Sequence, residues 1–207
     1  MKSYENHING NLYAYAANNP VYYTDPDGRE VFLLDADYVL SVKEKNIVNK
    51  LIKTIEIHSD DKYIVGTKEN NWNEFRCDSF NETILKESGF NPLDYMAGPA
   101  ISKNVDEHIA NALNNNLAEK ADRNESPCIG GGAYIVYMDE GKWGEKKVDS
   151  HGGIILFKDG KVLYSDNSSS NRKKTGGVQT RTYGSILEFQ SDYGETYKNF
   201  YYIQINE

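Results

Sequence analysis

No apolar run in this chain approaches the ~20 residues that a membrane-spanning helix needs. The opening Met1-Lys2-Ser3-Tyr4-Glu5-Asn6 lacks the apolar core of a secretory leader, so we expect no such signal. Cations are in deficit: 23 Lys and Arg stand against 31 Asp and Glu, a net charge of −8. That balance argues against a general nucleic-acid binder, whose affinity comes from neutralising phosphates, though it leaves room for a small local basic site. Cysteine is scarce too, with only Cys77 and Cys128. Two are too few for a disulfide-built scaffold, and a single bridge between them stays open. They form no Cys-x-x-Cys pair and have no third ligand nearby, which argues against structural zinc. What the chain does have is 16 Tyr and 7 Phe in 207 residues. That is enough large side chain for one folded core at this length.

Residues 1–30 differ from the rest. Asn18-Asn19-Pro20 and Asp25-Pro26-Asp27-Gly28 are turn chemistry, and the tyrosines between them alternate as in a short strand. A tyrosine-rich hairpin packed on a larger domain fits this pattern. From Val31 the chain reads as α+β. Val31–Leu34 is a short strand candidate. Ile47, Val48, Leu51, Ile52 and Ile55 recur at helical spacing over 43–58. A second helix is expected over 77–88, stopped by Gly89. A third is expected over 105–121, with His108 on its wet face. Strands are expected at Ala133–Met138, His151–Phe157, Lys161–Ser165, Ile186–Phe189 and Phe200–Ile205, with a loop at Ser168–Thr180. Helices first and an antiparallel sheet second predict segregated layers.

Three residues carry candidate chemistry. Cys77 opens a helix, where exposed amides and the helix dipole favour an anion and make a thiol nucleophilic. The same position also suits a small buried hydrophobe. His151 begins a strand, and Gly152-Gly153 beside it leave room for another backbone or a substrate. Asp159-Gly160 reads as a two-residue hairpin turn. In that register Ile155 faces Tyr164 and Gly153 faces Asp166. Asp166 then shares the face of His151 as its diagonal neighbour, roughly 7–8 Å away by backbone. Asn167 points to the opposite face, where its loss should be nearly neutral. His58, beside Asp60 and Asp61, reads as a solvated cation at a helix end, and His7 lies in the first segment. Asn71 and Asn73 are candidate oxyanion donors beside the Cys77 amide, and Trp72 and Trp143 are candidates to line a groove. Gly130-Gly131-Gly132 is followed by no Lys-Ser/Thr, so it is no phosphate loop. Asn171-Arg172-Lys173-Lys174 reads as a solvated basic run.

Two resemblances bear on function. Residues 11–28 resemble the closing segment of RHS-repeat core domains. They keep Leu12, Tyr13, Tyr15, Asn18, Asn19, Pro20, Asp25, Pro26 and Gly28 of its pattern. This implies that residues 1–30 are the remnant of a shell boundary and that residues 31–207 are a C-terminal toxin domain. The order Cys77, His151, Asp166 supplies a nucleophile, a base and an orienter. Cys77-Asp78-Ser79-Phe80, His151-Gly152-Gly153-Ile154-Ile155 and Ser165-Asp166-Asn167 resemble motifs of papain-like peptidases of the NlpC and CHAP branches. Glycine after Cys-Ser is replaced here by Asp78-Ser79. The likeness implies a papain-like fold with N-terminal helices on an antiparallel sheet, and a catalytic triad Cys77, His151 and Asp166 with no metal or other cofactor. The implied substrate is the stem peptide of bacterial peptidoglycan. A cognate immunity protein is the implied partner, with no nucleic acid and no membrane. The protein would be made in the cytoplasm and either secreted or delivered into a target cell, without a signal peptide. A cysteine deamidase or transglutaminase-like enzyme acting on a protein substrate would use the same three residues. A nuclease would need a metal-binding His cluster or basic cleft that the sequence lacks, and a non-catalytic binding tail would leave Cys77 and His151 as core residues.

Overall fold

The computed structural model describes residues 40–66, 68, 74–169 and 176–206, with the backbone of 23–24 and 32–33. The chain is α+β, built on a six-stranded antiparallel sheet. Strands β1 (Tyr23–Thr24) and β2 (Phe32–Leu33) form a small separate antiparallel pair. The turn motifs of the first segment, His7 and the other residues before 40 lie outside the described residues. Helix α1 (Val42–Ile57) opens with a capping box: the Glu44 amide donates to Ser41 Oγ, and the Ser41 amide to Glu44 Oε2. Helix α2 (Cys77–Glu87) ends at Gly89, whose φ of +86° suits glycine. The Gly89 amide there donates to the Lys86 carbonyl and the Phe90 amide to that of Leu85, a Schellman closure.

Helix α3 (Val105–Asn114) is shorter than expected. The sequence pattern extends it to 121, but Asn116 turns left-handed at φ +52° and the Leu117 amide closes back on the Ala112 carbonyl. Residues 118–122 are strand β3 instead. Strands β4 (Ala133–Asp139), β5 (Lys142–Trp143), β6 (Lys146–Lys147), β7 (His151–Lys158) and β8 (Lys161–Ser168) follow. Part of the expected loop is strand β9 (Gly177–Tyr183), a polar edge whose solvent-facing residues hide its pairing with β8. The expected strand at Ile186–Phe189 is helix α4 (Ile186–Gly194). Ser185 caps it by accepting from the Glu188 amide, and Ile186, Phe189 and Tyr193 recur at helical spacing on its buried side. Strand β10 (Asn199–Gln204) closes the fold.

The sheet order is β3-β10-β4-β7-β8-β9. Its central strand β4 is buried on both faces. Ile135 and Tyr137 join Ile154, Leu156 and the apolar sides of α1, α2 and α3 in one core. Tyr134, Val136 and Met138 join Ile155, Tyr164 and α4 in the other. Three helices therefore cover one face and α4 the second, a three-layer arrangement.

The β7–β8 hairpin has the expected register, with Lys158 opposite Lys161 and Ile155 opposite Tyr164. Asp159 and Gly160 both take positive φ, +49° and +70°, as a type I′ turn requires. The space beside Gly152 and Gly153 is filled by the protein itself. A Cβ on Gly152 would lie 2.6 Å from the Tyr137 ring, and one on Gly153 only 2.5 Å from the Ser165 carbonyl oxygen. Gly153→Ala should therefore lower the urea stability by about 1–3 kcal/mol. An unchanged midpoint would contradict the close approach of β7 and β8.

Candidate active site

The segment before α2 is pinned on both sides. Phe75 and Ile64 exchange backbone hydrogen bonds of 2.8 and 3.0 Å. Asn167 Nδ2 also donates to the Phe75 carbonyl at 2.8 Å, two residues ahead of Cys77. This corrects the expectation that Asn167 is dispensable. It does face away from His151, but it is fully buried and holds the approach to the helix. Arg76 gives α2 no side-chain cap. The guanidinium instead pairs with Glu74 at 2.7 Å and with buried Asp78 at 3.1 Å. Burial raises the Asp78 carboxyl, against the pull of Arg76. Cys77 is half-buried at the first position of the helix, and both cysteines are free thiols.

His151 is the first residue of β7, and its ring is largely enclosed. His151 Nε2 lies 2.7 Å from Oδ2 of Asp166, whose side chain is 1% exposed. The register makes this contact, because residue 166 stands opposite 153 and diagonal to 151. Cys77 lines the same cavity as this ring and acts on its charge, and with Nε2 engaged by Asp166 the nitrogen left for the sulfur is Nδ1. Burial works against a charged imidazole here. The Asp166 carboxylate and the Cys77 sulfur outweigh it and push His151 up to about 10. The structure thus brings together all three residues singled out in the sequence. The His151 ring and the first turn of α2 come together around Cys77.

The surroundings add groups that no sequence signal marked. Tyr197 lies nearly parallel to the His151 ring, at 18° and 6.3 Å between centroids. Tyr63 lines the site beside Cys77, and its phenol is raised by burial and by the sulfur. A cavity of about 690 Å³ reaches from Cys77 over His151 and Asp166 to Arg181 and Tyr193. A second, of about 610 Å³, runs from Cys77 past Arg76 and Asp106 to Asp139. The two share Tyr63, Cys77 and the stretch Lys147–Ser150, so they adjoin at Cys77.

The other candidates stand apart from this centre. Cys128 is exposed. His108 is fully buried, not on a wet face. It accepts from the Ala97 amide at 3.0 Å and stacks on Tyr137, and burial depresses it to about 4, so its ring is neutral. His58 bridges Asp61 at 2.5 Å and Glu87 at 3.0 Å. Asn71, Trp72, Asn73, the basic run 171–174 and the side chain of Trp143 lie outside the described residues. Among the described residues no three His, Cys, Asp or Glu side chains are grouped to hold a metal ion, and no helix is long and apolar enough to cross a membrane. The chain matches no protein-family model, no curated protein and no solved structure.

The raised His151 has a consequence for stability. Its folded-state pKa exceeds the unfolded value of about 6.5, so the pairing stabilises fully below that pH and fades as pH climbs toward 10. His58 contributes a slope of the same sign, because Asp61 and Glu87 outweigh its burial. Urea stability should fall between about pH 7 and pH 9.5, and His151→Gln should flatten the fall. Equal slopes in the two proteins would contradict the pairing.

Proposed function

We propose that this chain is a papain-like cysteine hydrolase that cleaves amide bonds in peptides. The observation that carries this reading is an imidazole hydrogen-bonded to Asp166 and lining one cavity with a cysteine at a helix start. Cys77 Sγ attacks the carbonyl carbon. The oxyanion forms beside the Cys77 amide and the Tyr63 hydroxyl, which are the candidate donors. The proton on His151 Nδ1 passes to the leaving nitrogen as the C–N bond breaks and a thioester forms. Nδ1 then takes a proton from water, which attacks the thioester, and the C–S bond breaks to return the thiolate and a carboxylic acid. Asp166 holds Nε2–H throughout, so the ring keeps one orientation and its charge is compensated.

Two cavities that adjoin at Cys77 favour a substrate that continues past the scissile bond in both directions. A peptide chain meets that condition more naturally than the end of one glutamine side chain. Together with the resemblance of the three motifs to the NlpC and CHAP branches, this supports the peptidoglycan stem peptide as substrate. The RHS-like segment at residues 11–28 supports a toxin carried at the end of a larger polypeptide, with an immunity protein in the producing cell.

Purified peptidoglycan and a cytosolic lysate, each incubated with the protein and examined by mass spectrometry, separate this reading from deamidation. Stem-peptide cleavage is expected. A +1 Da change on lysate glutamines with intact peptidoglycan would favour the deamidase. Cys77→Ala should lose at least ~10³-fold in rate while staying folded, and His151→Ala should fall to a similar residual because the two act as one unit. Cys128→Ala should keep full activity. A folded Cys77→Ala protein with normal activity would end the nucleophile assignment.

A further inference from the structure

We propose that Tyr193 and Arg181 are positioning residues that lock Asp166 in the rotamer facing His151. The inference rests on the reading of Cys77, His151 and Asp166 as one catalytic device. Arg181 on β9 donates from Nη1 to the Tyr193 hydroxyl oxygen at 2.5 Å. With its oxygen engaged as an acceptor, the phenol aims its own hydrogen elsewhere, and Asp166 Oδ2 lies 3.4 Å away. That is the same oxygen that holds His151 Nε2 at 2.7 Å. A directed chain therefore runs from guanidinium to phenol to carboxylate to imidazole.

The remaining contacts hold the chain in place. The Arg181 guanidinium also sits over the Tyr193 ring, 5.2 Å from its centroid. Asp192, one residue before Tyr193, accepts from Tyr183 at 2.7 Å and lies 3.9 Å from Arg181. The other oxygen of Asp166, Oδ1, is buried with no hydrogen-bond partner, so the contacts that orient the carboxylate all converge on Oδ2. The Tyr193 ring packs against Tyr164 and Phe189 at 5.0 and 5.2 Å, and a phenylalanine would fill that role equally well. The hydroxyl and its arginine donor are what packing leaves unexplained. Titratable groups facing the Asp166–His151 pair are Cys77 on α2, Tyr164 on β8, Arg181 on β9, Tyr193 on α4 and Tyr197 after it, with Asp149 before β7 acting on Tyr197.

The test uses iodoacetamide on the full chain, with Cys77 modification read by peptide mass spectrometry at about pH 6 and pH 9.5. At the lower pH the rate reports how well the oriented His151 ring activates the thiol; at the higher pH an ordinary thiol ionises unaided. Tyr193→Phe and Arg181→Met should each slow the reaction about fivefold at the lower pH, the ratio one net hydrogen bond is worth. They should leave the rate at the higher pH unchanged. Arg181→Lys, which keeps a charged donor, should recover most of the loss. A pH 6 to pH 9.5 rate ratio in Tyr193→Phe equal to wild type would overturn the proposal, as would equal slowing at both pH values, which packing damage produces. His151→Ala is the reference. If it leaves the rate at pH 6 unchanged, the base assignment itself fails; if it abolishes that rate while Tyr193→Phe does not alter it, only the positioning role fails.

Discussion

The His151–Asp166 hydrogen bond is the contact on which the account of this site depends, and a hairpin register makes it. Two residues, Asp159 and Gly160, adopt the positive φ angles of a tight turn and fix which residues of β7 and β8 stand opposite each other. One more residue in that loop would turn Asp166 away and present Asn167 instead. Gly153 tightens the arrangement, because only a residue without Cβ lets the Ser165 carbonyl come so near. The position of the Asp166 carboxylate thus follows from backbone geometry.

Cys77 approaches His151 from the other face of the sheet. His151 shares a face with Ile155, which packs toward α4, whereas Cys77 packs with the core under α1, α2 and α3. The two come together at the start of β7, where Cys77, His151 and Asp166 line one cavity. Gly152 allows this on the helix face by making room for Tyr137 and Asn81 of the neighbouring elements. Asn167, on the same face, fastens the strand-like entry to α2 through the Phe75 carbonyl. Adjacent residues of β8 therefore serve opposite layers: Asp166 holds His151, and Asn167 holds the approach to Cys77.

Much of this was legible in the sequence, where periodicity and turn chemistry are strong. Ile47, Val48, Leu51 and Ile55 announced α1, Gly89 announced the end of α2, and Asp159-Gly160 announced the register that puts residue 166 beside 151. The misses have local causes. The asparagines 114–116 are helix-ending residues, and Leu117 after them kept an apolar period that read as more helix. Ile186–Phe189 looks like a strand in isolation; the Ser185 cap and the spacing to Tyr193 decide for a helix. Strand β9 is an edge with polar residues on its open side, so it carries no full alternation. His108 was misplaced because its partner is a backbone amide at Ala97, which no side-chain pattern records. Tyr63, Arg181, Tyr193 and Tyr197 enter the site through tertiary contact alone, and no spacing from Cys77 or His151 marks them.

The central claim is that Cys77 and His151 share one proton-bearing unit held by Asp166. Its most direct test is the ¹⁵N NMR titration of the His151 ring in the wild-type protein and in Cys77→Ser. With the sulfur present, the ring should carry protons on both nitrogens at neutral pH, and its titration should move to lower pH when the sulfur is replaced. Identical His151 titrations in the two proteins would mean that the cysteine does not act on the ring, and the reading of the site as a cysteine hydrolase would be contradicted.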